Sequence, residues 1–88
     1  MAKQNHTWRL VAAAMAESDP AAARRHLDTL ATPPTQPVIA VARRLCRSAR
    51  PDERRVGALL VDALLDQQPD LSEADALRAA GEAAIRQA

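Results

Sequence analysis

Between two prolines the chain reads PDERRVGALLVDALLDQQP, residues 51–69, and no other stretch constrains the architecture as tightly. Laid on a helix from about Asp52 to Gln68, the apolar residues Val56, Leu59, Leu60, Val61, Ala63, Leu64 and Leu65 cover more than half the circumference. Only a narrow polar strip of Arg55, Asp62 and Asp66 remains. A helix lying on a protein surface carries an apolar stripe of roughly 100°. This one is therefore expected at the centre of the molecule, contacted from several sides. Pro51 suits a first helical turn, where its missing N–H is no loss, and Asp52 and Glu53 sit at the positive end of the helix dipole. Pro69 ends the segment.

The flanking sequence supplies what such a helix needs to pack against. Downstream, Ser72-Glu73-Ala74-Asp75 reads as a capping-box variant opening a helix to about Gln87. Its stripe is Ala74, Leu77, Gly81, Ala84 and Ala88, small enough for a close helix crossing at Gly81. Opposite lie Asp75, Arg78, Glu82 and Arg86, spaced for ion pairs one turn apart. Upstream, Pro37 to about Ser48 forms a helix with Val38, Val41, Ala42, Leu45 and Ala49 inward. Thr32-Pro33-Pro34-Thr35-Gln36-Pro37 before it is a linker, since three prolines remove donors and push their predecessors toward extended geometry. Asp19 caps a helix beginning at Pro20 and running to about Ala31, with Ala23, Leu27 and Leu30 inward. Thr7 is placed to cap a first helix from Trp8 to Glu17, whose stripe is Trp8, Val11, Ala12 and Met15.

The expected fold is thus all-α: one domain over residues 1–88, a compact bundle of about five short helices, arranged as two hairpins plus a terminal helix. The hairpin spacing is similar to that of tetratricopeptide-type repeats, although the large aromatic positions of that family are absent. Composition agrees, with 21 alanines, ten leucines, two glycines, and Trp8 as the only aromatic residue.

Most chemistries are poorly served. Gly57 and Gly81 are the only glycines, so no Gly-rich phosphate loop exists; one cysteine and two histidines make no zinc cluster. Neither His6 nor His26 is spaced to activate Cys46, which reads as a small core residue. Asp62 and Asp66 share a helix face, but two carboxylates provide too few oxygens for a cation and nothing to split their pKa values. We expect no enzyme, no metal and no cofactor. No apolar run is long enough for a membrane span, and the seven residues Leu10–Ala16 read as a helix rather than a secretion signal. One cysteine and these features suggest a cytoplasmic protein, and eleven arginines against one lysine suggest a bacterial gene of high GC content.

The local excess is arginine. Arg43, Arg44, Arg47, Arg50, Arg54 and Arg55 fall within thirteen residues, and residues 1–55 carry ten basic and five acidic side chains against two and six in residues 56–88. Guanidinium groups suit bidentate pairing with carboxylates. The leading expectation is a non-enzymatic interaction module, a regulator, adaptor or inhibitor that binds an acidic protein surface through these six arginines. A further reading takes the arginine stripe as a solvated face, partly neutralised by Asp52 and Glu53 or by the acidic half of a second copy, so a homodimer is within scope. The alternative is a dimeric DNA-binding regulator using the same arginines on phosphate. Residues 54–88 resemble the opening of a helix-turn-helix domain: a long apolar helix, Pro69-Asp70-Leu71-Ser72, then an Ala-rich helix reaching Gly81. That resemblance implies a turn at Gly81 followed by a recognition helix, for which Glu82–Ala88 are few. Readers of single strands stack bases on aromatics, which this chain lacks apart from Trp8.

Overall fold

The computed structural model describes residues 2–86, and their elements are α1 (Ala2–Ala16), α2 (Pro20–Leu30), α3 (Gln36–Cys46), α4 (Pro51–Gln67) and α5 (Ala74–Arg86). No strand occurs among the described residues. α4 packs against all four other helices, as its apolar girth demands. Val56, Leu60 and Leu64 are fully buried along it, Arg55, Asp62 and Asp66 are exposed, and Leu59 and Leu65 are half-buried. α1 pairs with α2, and α3 with α4, giving two hairpins; α5 then covers α4 and part of α3. Arg24 on α2 ties the first hairpin to α4, bonding Asp28 on its own helix and Asp66 across the gap.

Local signals explain most helix ends. Asp19 is extended and its carboxylate accepts the Ala21 N–H at 3.2 Å, with Pro20 beginning α2. The α3–α4 turn is held by Ser48, whose hydroxyl accepts the Arg50 N–H at 3.1 Å and donates to the Glu53 carboxylate. The ends of α1 and α5 differ from expectation. α1 begins at Ala2, so Thr7 lies inside the helix instead of capping it. At α5 no capping box forms: the Ser72 hydroxyl donates to Glu73 at 2.7 Å, and Glu73 also accepts from Gln36 at 2.9 Å, joining the starts of α3 and α5. These two bonds hold the Glu73 carboxyl below its ordinary range.

Inward faces follow the expected stripes on α2 and α5, where Ala23, Leu27 and Leu30, and Ala74, Leu77, Gly81 and Ala84, are buried. Gln87 and Ala88 of the expected α5 lie outside the described residues. On α3 the buried set is Val38, Ile39, Ala42, Leu45 and Cys46; Val41 is half-buried, and Ala49 is exposed because the helix has already ended. On α1 the expected stripe is rotated. Val11 and Ala14 are buried, Ala12 is exposed, and Trp8 is 39 % exposed. The alanines of Leu10–Ala16 offer methyl groups in most directions, so periodicity did not single out a face.

The close helix crossing is at Gly57, not Gly81. A Cβ at Gly57 would stand 2.7 Å from the Cys46 backbone nitrogen and 2.9 Å from the Leu45 carbonyl carbon. α3 and α4 therefore approach backbone to backbone there. At Gly81 a Cβ would meet only Val61, at an ordinary 3.5 Å.

Candidate functional site

α1 and α3 do not run against each other; they flank a gap that side chains bridge. Trp8 projects from α1 into that gap, and the Arg44 guanidinium from α3 lies over its ring, 5.7 Å from the centroid. That separation is within cation–π range. On one side of this pair is an open concavity lined by Arg43, Arg44, Arg47, Ser48 and Glu53. On the other is a more apolar one, lined by Leu30, Pro33, Pro37, Val38 and Val41 together with Thr29, Thr32 and Thr35. Trp8, Ala40 and Arg44 line both, so the two form one groove with a basic end and an apolar end.

The six arginines separate by environment. Arg43 is half-buried, and Arg44 and Arg47 are exposed; these three converge on the basic concavity. They do so because Arg43, Arg44 and Arg47 span a single turn at the end of α3, opposite its buried Ala42 and Leu45. Arg50 is exposed and pairs with Asp52 at 3.3 Å, and Arg55 is exposed on α4; neither lines the concavity. Arg54 is buried, 8 % exposed, with its guanidinium donating to the Ser48 carbonyl at 3.0 Å. It braces the α3–α4 turn from inside and presents nothing to a partner. The counter-charges near the basic end are Glu53, in its lining, and Glu73, which feels the Arg43 charge.

Trp8 is the residue that sequence reasoning missed, having assigned it to the core. A usable signal was present: the only large ring in an alanine-rich chain has few deep cavities to fill. Ile85, the other large apolar side chain exposed among the described residues, lines neither concavity.

Other groups offer little chemistry. Cys46 is buried, and burial pushes its thiol up to about 11, away from the thiolate that a nucleophile needs. Among the described residues no three His, Cys, Asp or Glu side chains gather around a metal-sized space, and no helix is long and apolar enough to cross a membrane. The resemblance to a helix-turn-helix is not carried through: α5 runs unbroken through Gly81 to Arg86, so the turn and the recognition helix do not form there. No protein-family model matches the chain, and neither a curated protein nor a solved structure matches it significantly.

Proposed function

We propose that the protein is a non-enzymatic helical interaction module, a regulator, adaptor or inhibitor, that binds an acidic protein surface at the basic end of the α1–α3 groove. The observation that carries this reading is the position of the Arg44 guanidinium over a part-exposed Trp8 where Arg43 and Arg47 converge. Trp and Arg are the residue types that dominate interface energetics, and both are over-represented where partners dock. Arg44 is already oriented by the ring, so less side-chain freedom is lost on contact. Exposed Arg47, Arg50 and Arg55 extend the positive field and would steer an acidic partner. Arg54, being internal, has no part in this.

Phosphate binding draws on the same charges. Duplex readers, however, insert a protruding helix or ribbon into a groove of the DNA. Here Arg43, Arg44 and Arg47 line a concavity, which favours a partner with a convex surface of its own.

The test is affinity isolation with the wild-type chain and with Arg47→Glu/Arg50→Glu, both exposed positions, from extracts with and without nuclease treatment. An acidic protein retained by wild type and lost by the variant is the expected result. Equal retention by both chains, or retention abolished by nuclease, overturns the reading.

A further inference from the structure

The groove has a second half that the charge argument does not use. Its apolar end continues directly from the arginines across Trp8, and it is lined by prolines and aliphatic side chains of the α2–α3 linker and α3. A partner bearing carboxylates alone would leave this end wet. We propose that the whole groove receives an acidic amphipathic helix of a partner protein, with carboxylates toward Arg43, Arg44 and Arg47 and large aliphatic side chains on Trp8, Pro37 and Val41. This deepens the protein-binding reading above and rests on it.

Two observations select this occupant. The first is complementarity of charge: among the described residues, three arginines converge on one end with Glu53 as the only acidic lining residue, and at the other end Arg44 is the one lining Lys, Arg, Asp or Glu. A ligand must therefore be acidic along one edge and apolar along the next. The second concerns backbone hydrogen bonds. An extended peptide covering this end would have its N–H and C=O groups desolvated, and such groups must find partners. The described residues contain no strand edge to pair with, and Pro33, Pro34 and Pro37 contribute no N–H donors to the linker. A helix satisfies its own backbone, and a groove between helices is a common seat for one. The apolar anchors would recur at i, i+3 or i+4 and i+7, with Asp or Glu flanking them.

A random-peptide library displayed on phage and selected on the full-length wild-type chain tests this. The same selection is run on Trp8→Ala, Arg44→Glu and Arg47→Glu; the last changes an exposed side chain and keeps the experiment valid should Trp8→Ala lose stability. Selected peptides are expected to combine carboxylates with aliphatic residues at helical spacing and to become more helical by circular dichroism when bound. Each variant should weaken them roughly tenfold or more, as truncation of an interface anchor does. Acidic peptides without the apolar spacing, bound equally by Trp8→Ala, would overturn this inference and leave the acidic-partner reading standing. Selected peptides that lack carboxylates, or no enrichment over the Arg44→Glu and Arg47→Glu chains, would overturn both.

Discussion

Arg47 and Arg54 are seven positions apart and sit in opposite environments, the first exposed and the second buried. Arg54 is internal and bonds the Ser48 carbonyl, so Arg54→Ala removes a charge-assisted hydrogen bond and leaves a hole beneath the α3–α4 turn. We expect a loss of about 2–3 kcal/mol in urea unfolding, against less than about 0.5 kcal/mol for exposed Arg47→Ala. Equal effects would contradict this division of the cluster. The division was not legible in the sequence, because a run of arginines does not show which one the chain folds over. Cys46 was legible as a core residue, and it has a pH signature. Its thiol is neutral in the folded state up to about 11, whereas in the unfolded chain it ionises near its ordinary 9.0. Stability from this group is therefore complete below pH 9.0 and falls as pH rises toward 11, by on the order of 2–3 kcal/mol. Unfolding of wild type and Cys46→Ala should accordingly converge in the alkaline range, after a gap at neutral pH that favours wild type. A constant gap would show that the thiol titrates alike in both states.

Among the elements, α4 was the most readable and α1 the least. The girth of apolar residues on α4 announced a central helix, and Pro51 and Pro69 bracketed it. α1 has mostly alanine around its circumference, and which methyl groups turn inward depends on neighbours that no local pattern encodes. The basic end of the groove was legible as a charge run at the α3–α4 junction; the apolar end was not, since it needs α1, the proline linker and α3 brought together. Glycine placement belongs to this level as well. Gly81→Ala gains helix propensity without a clash and is expected to stabilise by roughly 0.5–1 kcal/mol. Gly57→Ala gains the same propensity, but its methyl group meets the backbone of α3 under 3.0 Å, so α3 must shift. We expect a net loss of about 1–3 kcal/mol, the usual range for overpacking. Thermal melts of the two variants moving in the same direction would contradict the crossing geometry.

The molecule as a whole measures 28 × 27 × 23 Å, with a radius of gyration of 11.6 Å, and a groove opens between α1 and α3. Trp8 and Arg44 stand at its middle. Because Trp8 is the only aromatic residue in the chain, intrinsic fluorescence reports on the groove alone. The decisive measurement is Trp8 emission during titration, at low salt, with an aromatic-free acidic amphipathic helical peptide of Glu and Leu and separately with a short DNA duplex. A saturable blue shift with the peptide, absent in Arg44→Glu and absent with the duplex, is the expected result. A shift with the duplex, or a peptide shift unchanged in Arg44→Glu, would contradict an acidic protein helix as the partner of this groove.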